Sequence, residues 1–303
     1  MSAVDELVKL GGTRVSEHAP FGSRTTYRVG GSARVVVSVD TIGDLDELGP
    51  LIRETGLEIV CLGNGSNLLV EDGERDVLVV HFERSRATLE HEGEERVVVK
   101  ASAGLDLPLM SRRLAHDGVV GFEWAVGVPG TVGGAVAMNA GGHGDDIAGS
   151  IHDATIWREG VTTVWSKGEL QLGYRTSAID SSDVVLGARF NLARGSAGEA
   201  QDRVREIVRW RRENQPGGTN AGSVFRNPPG DHAARLIEAA GCKGLRLGSA
   251  AVSEKHANFI QADAGGLAVD VYSLMKLVQA RVLEESGVEL ISENRLVGFG
   301  VTS

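Results

Sequence analysis

Residues 127–142 read GVPGTVGGAVAMNAGG, and this stretch decides the fold. Glycine and alanine dominate it, no charged residue interrupts it, and Asn139 supplies its main polar side chain. A backbone with so few side chains can closely approach a flat or phosphorylated ligand. The same composition also suits tight packing between two protein layers, and the stretch alone does not distinguish the two.

A second glycine-containing turn, LGNGSNLLV at 62–70, follows a predicted strand. It lacks the third glycine of a dinucleotide-binding fingerprint and no long helix follows it, so a Rossmann motif is weakly supported. Its backbone N–H groups, together with Ser66 and Asn67, suit a turn that cradles phosphate. Taken alone, an ordinary tight turn is the simpler interpretation.

The composition excludes several classes of protein. The chain has 303 residues, enough for two or three domains, and its formal net charge of −10 argues against a nucleic-acid-binding surface. The two cysteines, Cys61 and Cys242, have no CxxC spacing and no histidine-rich partner, so neither a metal site nor a disulfide framework is expected. The weakly charged run at 119–138 contains Glu123 and Pro129, so it is not predicted to span a membrane. We expect a soluble cytoplasmic protein.

Hydrophobic periodicity and breaker residues predict a chain of mixed helices and strands. The predicted strands cover residues 34–39, 58–62, 77–82, 96–101, 151–157, 161–165, 183–192, 250–252 and 258–261, with one more at the C-terminal end. The predicted helices cover residues 44–55, 107–116, 199–213, 233–240 and 268–286. Pro50 should kink or interrupt the first helix, whereas Asp106 should cap the start of the second. The breaker cluster NQPGGTN at 214–220 is the best candidate for a domain boundary.

Two short segments carry candidate catalytic side chains. Arg175, in QLGYRTS, could clamp a carboxylate or phosphate with both arms, although an arginine beside an aromatic ring more often packs on the surface. Ser223, in AGSVFRNP, lies in no GxSxG elbow, so a hydrolytic role is not favoured. A serine that donates one proton in a dry pocket needs no such triad.

Two later segments are less specific. The sequence SEKHANF at 253–259 suits either an anion or sugar contact or a solvated turn. Glu293, in ISENRLVG, follows a short apolar run and could equally be a surface acid.

In their order along the chain, these motifs resemble the UDP-N-acetylenolpyruvoylglucosamine reductase family of bacterial peptidoglycan-precursor enzymes. The matching segments span nearly the whole chain, and its length suits the shorter subclass, which lacks an inserted substrate-binding loop. These segments are TTYRVGG at 25–31, LGNGSNLLV, GVPGTVGGAVAMNAGG, YRTS at 174–177, QP at 215–216 with AGSVFRNP, LIEAAGCKG at 236–244, SEKHANF, and ENRLVG at 293–298.

The resemblance implies an α+β architecture with a vanillyl-alcohol-oxidase-type (PCMH-type) FAD-binding fold. Residues 1–82 would form the first FAD-binding subdomain, with 296–303 packing against it. Residues 83–213 would form the second subdomain, and 214–295 a C-terminal α+β substrate-binding domain. We expect a monomer.

The resemblance also implies bound FAD, NADPH as the reductant, and reduction of UDP-N-acetylglucosamine enolpyruvate to UDP-N-acetylmuramate. Residues in the two glycine-containing segments match the family's cofactor-binding positions: Gly63, Asn64, Gly65, Ser66, Asn67, Leu68, Pro129, Gly130, Thr131, Gly133, Gly134, Ala135, Asn139, Ala140 and Gly141. The implied substrate contacts are Tyr174, Asn227, Lys255, His256 and Asn258. No metal, nucleic acid or membrane partner is implied.

Three residues match catalytic positions of the family. Arg175 and Glu293 match residues that stabilise negative charge on the substrate carboxyl group, and Ser223 matches the donor of a proton to the alkene. Glu293 would help only if it is protonated or arranged through Arg175, and both alternatives stay open. Two departures stand out: the glycines before Thr219 put the order of the serine loop in doubt, and Asn294 replaces a usual valine, which should matter little.

Two other classes of protein remain open from the residues alone. Another FAD-dependent oxidoreductase of the same fold, acting on a small alcohol or hydroxy acid, would share the glycine segments but should lack the set of Arg175, Ser223 and Glu293. A non-catalytic nucleotide-binding protein would keep the glycine segments without needing Ser223 or Glu293.

Overall fold

The computed structural model describes residues 2–39, 42–82 and 88–300. The helices are α1 (Ala3–Gly11), α2 (Ile42–Glu54), α3 (Leu107–His116), α4 (Val132–Ala137), α5 (Ile147–Ser150), α6 (Ala197–Asn214), α7 (Ala233–Ala239) and α8 (Ala268–Ser286). The strands are β1 (Val15–Pro20), β2 (Ser32–Val39), β3 (Glu58–Leu62), β4 (Leu68–Val70), β5 (Glu74–Phe82), β6 (Leu89–Glu92), β7 (Arg96–Ser102), β8 (Val119–Val120), β9 (Gly141–Gly142), β10 (Asp145–Asp146), β11 (Ile151–Arg158), β12 (Val161–Ser166), β13 (Val184–Arg194), β14 (Arg246–Leu247), β15 (Ala250–Val252), β16 (Ile260–Ala262) and β17 (Arg295–Val297).

The chain divides into two compact units, each assembled from separate stretches of sequence. Unit 1 consists of Met1–Ala19, Ala33–Asn64 and Asp76–Trp210. Unit 2 consists of Pro20–Ser32, Gly65–Arg75 and Arg211–Ser303. The predicted division at 1–82, 83–213 and 214–295 stays a prediction.

The first sheet of unit 1 has the strand order β1-β2-β5-β3, with β3 parallel to β5. Its alternating valines pack with α1 and α2 into one apolar cluster. The predicted interruption of α2 at Pro50 is wrong, because the helix continues through Pro50 to Glu54. Its buried side chains Leu45, Leu48 and Ile52 lie on both sides of the proline, so packing holds the helix together.

The second sheet of unit 1 has the order β12-β11-β13-β7-β6 and is antiparallel. The helices α3 and α4 contribute Leu107, Met110 and Val136 to the apolar cluster on this sheet. The helix α4 of the glycine-rich segment therefore packs against this sheet.

Unit 2 combines the C-terminal part of the chain with two short N-terminal stretches. The strand β17 pairs in parallel with β4, and β14, β15 and β16 form an antiparallel sheet beside α8. Tyr27, Val29 and Leu69 lie in the same buried cluster as the helices α7 and α8. The core of unit 2 thus depends on residues far apart in sequence.

The elements with clear capping signals lie where the sequence predicts them. The bounds of α3 and α8 agree with prediction; Asp106 caps α3, and α8 ends at Gly287 in the left-handed conformation. In α6, Ala200, Val204 and Ile207 are buried, whereas Val208 is 39% exposed. At 100° per residue, Ala200, Val204 and Ile207 lie on one stripe of the helix, and Val208 falls at the edge of that stripe.

The described part of the chain contains neither a membrane-spanning helix nor a cluster of metal-ligating side chains. No helix there combines the length and apolar character needed to cross a bilayer. Nor do the described residues bring together three or more histidine, cysteine, aspartate or glutamate side chains that could hold a metal ion. Cys242 is buried and Cys61 half-buried, and neither forms a disulfide within the described residues.

Candidate functional site

The two glycine-containing segments meet in unit 1. A Cβ atom on Gly63 would lie 2.3 Å from Oγ1 of Thr131, whose side chain is buried. Any larger residue at position 63 would therefore displace the turn at 130–131. The close approach explains why glycine is needed here, independently of any ligand.

Asp106 links these two segments. Asn64 Nδ2 donates to Asp106 Oδ2 at 3.0 Å, and the other carboxylate oxygen caps α3 by accepting from the Leu109 N–H at 3.1 Å. The Leu107 N–H donates to Gly130 O at 2.9 Å. The sequence identified Asp106 only as a helix cap; no local signal indicates its contact with Asn64, which is 42 residues away.

The two glycines at the start of α4, Gly133 and Gly134, have different roles. The Gly133 N–H donates to Ala103 O, and a Cβ on Gly133 would lie 2.9 Å from the Ala103 Cβ, so Gly133 serves packing. By contrast, Gly134 is exposed, and the Thr131 side chain makes no capping bond. Among the described residues, the Gly134 N–H has no acceptor. Of these two glycines, Gly134 and not Gly133 therefore presents its backbone N–H outward.

A second open polar atom lies on Asn64. Its Oδ1 is buried and has no hydrogen-bond partner within the described residues, although its Nδ2 is bonded to Asp106. A buried carbonyl oxygen without a donor is costly in a finished protein core. The atom therefore fits a ligand that brings a donor to this place.

The later half of the glycine-rich segment is organised by Asn139. Its amide is buried, and its backbone adopts the left-handed conformation at φ 41°. Its Nδ2 donates to Gly173 O at 2.8 Å and to Asp146 Oδ2 at 3.1 Å, while its Oδ1 accepts from the Ala148 N–H at 2.9 Å. These bonds use the whole amide, so its side chain holds the loop together.

Arg175 lies beside this same segment. It occupies a tight turn between Gly173 and Thr176 with φ 56°, and its Nη2 donates to Gly141 O at 2.7 Å. Its guanidinium carbon lies 5.3 Å from the ring centre of Tyr174, which is 57% exposed. The structure thus brings together Arg175, Tyr174 and the end of the glycine-rich segment.

Ser223 and Glu293 lie on one short antiparallel ribbon in unit 2. We call residues 221–226 and 291–294 the serine ribbon. Its backbone bonds run from the Glu293 N–H to Val224 O at 2.8 Å and from the Arg226 N–H to Ile291 O at 2.9 Å. Ser223 is half-buried, and within the described chain its hydroxyl makes no hydrogen bond.

The amide side chains of the buried Asn258 and the half-buried Asn67 fix the serine ribbon. Asn258 accepts from the Phe225 N–H at 3.0 Å and donates to Phe225 O at 2.8 Å, so it clamps that residue as a neighbouring strand would. Asn67 Nδ2 donates to Glu293 O at 3.0 Å. The positions of both asparagines were predicted from the sequence as ligand contacts, and in the structure their amides hold the ribbon.

The lead into the ribbon is tied to β16. The Ala262 N–H donates to Thr219 O at 3.0 Å, the Thr219 hydroxyl donates to Ala262 O, and Gln261 Nε2 donates to Gly217 O at 2.8 Å. Three hydrogen bonds therefore tie the glycine-containing lead to β16. The glycines allow the turn, with Gly218 at φ 77°, while the neighbouring strand holds it.

Comparison with known proteins identifies the family. Residues 214–297 match the family model described as UDP-N-acetylenolpyruvoylglucosamine reductase, C-terminal domain, and residues 33–171 match an FAD binding domain. The UDP-N-acetylenolpyruvoylglucosamine reductase of Rubrobacter xylanophilus is 39% identical over 92% of this chain and 94% of its own. This chain belongs to that family.

Other members agree. The UDP-N-acetylenolpyruvoylglucosamine reductase of Alkalilimnicola ehrlichii is 38% identical over 98% of this chain and 99% of its own. The crystal structure of the reductase from Thermus caldophilus superposes with a TM-score of 0.81 and 34% identity, covering 94% of this chain and 99% of that one. The fold is therefore the α+β fold of the vanillyl-alcohol-oxidase type, as the sequence predicted.

The remaining family positions in the glycine-containing segments take local structural roles. Gly65, at φ 61°, accepts from the Thr26 N–H, and Leu68 is buried in β4. Pro129 is exposed, whereas Ala135 is buried in α4. The others are half-buried: Ser66, Gly130, Ala140 and Gly141.

The other predicted substrate contacts are each engaged within unit 2. Asn227 Oδ1 accepts from the Ala233 N–H at 3.0 Å and so caps α7, and Lys255 Nζ donates to Arg212 O at the end of α6. His256 packs edge-on against Phe259, and burial lowers the pKa of its imidazole. Their contacts with substrate stay predictions.

Proposed function

We propose that this protein reduces UDP-N-acetylenolpyruvoylglucosamine to UDP-N-acetylmuramate, with bound FAD and with NADPH as reductant, during peptidoglycan precursor synthesis in the cytoplasm. The observation that carries the proposal is the serine ribbon. It presents a half-buried hydroxyl that the described chain leaves unbonded, next to a backbone fixed at Val224 and Glu293. Family members that bear the name of this reductase match more than nine-tenths of the chain, which favours this reaction over oxidation of a small alcohol.

The residues of unit 1 fit an FAD molecule. The buried Asn64 Oδ1 lacks a donor and the exposed Gly134 N–H lacks an acceptor among the described residues, so both atoms can bond to a ligand. We assign Asn64, the turn at 129–131 and Gly134 to the cofactor. When bound, FAD supplies the two-electron chemistry that connects NADPH to the substrate alkene.

Arg175 would bind the substrate carboxylate. A guanidinium presents two parallel N–H donors that match a carboxylate, and it stays charged at any physiological pH. Bonds to the carbonyl of Gly141 and to that of Asn139 hold this side chain in place. As negative charge accumulates on the carboxyl group during reduction, such a preplaced donor stabilises it by about 3 kcal/mol. We also assign Glu293 to stabilise this negative charge, which requires that its carboxyl group be protonated or arranged through Arg175.

Ser223 would complete the reduction with a proton. Its O–H bond breaks as a C–H bond forms at the alkene carbon that bears the carboxylate, and the oxygen regains a proton from solvent. The fixed ribbon makes the hydroxyl available, because Asn258 and the ribbon residues 291–294 already satisfy the neighbouring backbone.

The test is the variant Ser223→Ala. We expect NADPH to reduce its bound flavin at the wild-type rate, while turnover of the enolpyruvyl substrate falls by at least 100-fold, because only the second step needs the proton. Stopped-flow absorbance at the flavin band separates the two steps. The control is Ser16→Ala, the same substitution at an exposed position of β1. Wild-type turnover in Ser223→Ala would remove this serine from the mechanism.

A further inference from the structure

Asn294 lies at the centre of a buried hydrogen-bond network in unit 2. Only 4% of its surface is exposed. Its Nδ2 lies 3.0 Å from Asn67 Oδ1, 3.3 Å from Ala221 O and 3.4 Å from Ser223 O. An amide nitrogen has two hydrogens, so one serves Asn67 and the other is shared between the two carbonyls.

The acceptor side of the same amide is also occupied. The Tyr27 hydroxyl donates to Asn294 Oδ1 at 3.4 Å. Tyr27 is fully buried, and burial raises the pKa of its phenol, so the group stays protonated and acts as a donor. With Tyr27 on one side, the amide of Asn294 is oriented with its nitrogen toward the turn before Ser223.

These contacts act on the backbone of the catalytic residue. Gly222 lies between the two carbonyls and adopts φ 73°, so the chain turns sharply there and Asn294 bonds to both sides of the turn. Through Asn67 the same network reaches Glu293 O. A valine side chain could fill the space but could make none of these bonds.

We propose that Asn294 is a positioning residue that sets where the Ser223 hydroxyl lies when it delivers its proton. The inference rests on the proposed function, and it corrects the expectation that asparagine in place of valine matters little. A displacement of about 1 Å at a proton donor can slow its step by about 100-fold.

The first test is Asn294→Val. We expect turnover of the enolpyruvyl substrate to fall at least 10-fold through kcat, with little change in KM, while reduction of the bound flavin by NADPH keeps its wild-type rate. The matched control is Asn191→Val, the same substitution at an exposed position of β13. Equal losses in both half-reactions, or turnover within twofold of wild type, would overturn the proposal.

The second test separates positioning from stability. Tyr27→Phe removes the hydroxyl that Asn294→Val would leave buried without its acceptor. We expect Tyr27→Phe to lower the melting temperature less in the Asn294→Val background than in the wild type, and not to restore the substrate step. If it restores turnover, Asn294 acts only through stability and the proposal fails.

The two tests also separate this inference from the proposed function. The melting-temperature cycle needs no substrate, so it measures the coupling of Tyr27 and Asn294 even if the reaction is assigned wrongly. A wild-type protein that binds flavin but does not reduce the enolpyruvyl substrate would defeat the proposed function. Turnover of the wild type without a loss in Asn294→Val would defeat the positioning role alone.

Discussion

Arg175 can bind a carboxylate through a paired geometry that lysine cannot provide. Its guanidinium bonds to Gly141 O and lies over the ring of Tyr174. A guanidinium matches a carboxylate through two parallel N–H bonds, whereas an ammonium group does not. Arg175→Lys keeps the charge and loses the fork. We expect kcat with the enolpyruvyl substrate to fall at least 10-fold while the flavin spectrum is unchanged. Unchanged kcat would mean that the carboxylate is held by a single point charge.

His256 makes unfolding depend on pH. Burial holds the pKa of its imidazole below the ordinary value, so the unfolded state takes up a proton more readily than the folded state. The stabilisation from this group is full above the unfolded pKa of about 6.5 and is lost as pH falls from there toward the folded pKa. We expect His256→Gln to flatten the loss of unfolding free energy as pH falls below about 6.5, measured by urea denaturation.

The control is the wild-type protein, unfolded at the same pH values. A slope in His256→Gln equal to that of the wild type would contradict this prediction.

At the scale of elements, the approach of the two glycine-containing segments is the most demanding contact. A methyl group on Gly63 would collide with the buried Thr131, so Gly63→Ala must shift the turn at 129–131. We expect purified Gly63→Ala to retain much less flavin, measured as the ratio of absorbance at the flavin band to that at 280 nm. Gly198→Ala, at an open position in α6, is the control. Full flavin content in Gly63→Ala would show that this contact is unrelated to the cofactor.

The helix α8 depends on a remote cap. Its own N-cap residue, Leu267, has no capping side chain, and the Asp72 carboxylate accepts from the Ala268 and Val269 N–H groups at 3.1 and 3.0 Å. We expect Asp72→Ala to lower the unfolding free energy by about 1–2 kcal/mol. Asp76→Ala, which breaks an exposed ion pair with Arg34, should change it by less than about 0.5 kcal/mol. Equal effects would mean that Asp72 acts only as a surface charge.

The sequence predicts an element well when local interactions set its bounds, and poorly when packing with distant residues sets them. The bounds of α3 and α8 are set locally, by Asp106 at one N-terminus and Gly287 at one C-terminus, and both helices were predicted correctly. Local rules misjudged Pro50, because packing on both sides of it keeps α2 continuous. The helix α4 was missed, since glycine and alanine give no apolar period.

In the candidate site, too, the sequence does not predict contacts between residues that are far apart in the chain. Ser223, Arg175 and Glu293 could be named from sequence because their motifs resemble those of a known family. The roles of Asp106 and Asn294 could not, since their partners lie 42 and up to 267 residues away. A side chain that bonds distant backbone leaves no periodic or spacing signal in the sequence.

At the scale of the molecule, unit 2 is built from three stretches of chain that one buried amide connects. Tyr27 belongs to the first stretch, Asn67 to the second, and Asn294 to the third. The first two also supply Val29 and Leu69 to the core, and β4 supplies the partner strand of β17. The position of Ser223 and the stability of unit 2 therefore depend on the same long-range contacts.

This dependence predicts the behaviour of a fragment that begins at residue 211. Such a fragment contains α7, α8 and the serine ribbon but lacks Tyr27, Leu69 and β4, so its core is incomplete and β17 has no partner strand. We expect it to show no cooperative thermal unfolding by circular dichroism, because the missing apolar contacts exceed the small stability margin of a domain of about 90 residues. The full-length protein, unfolded under the same conditions, is the control. Cooperative unfolding of the fragment would instead support an independent C-terminal domain, as the predicted division at residue 214 requires, and would confine the role of the two N-terminal stretches to the site.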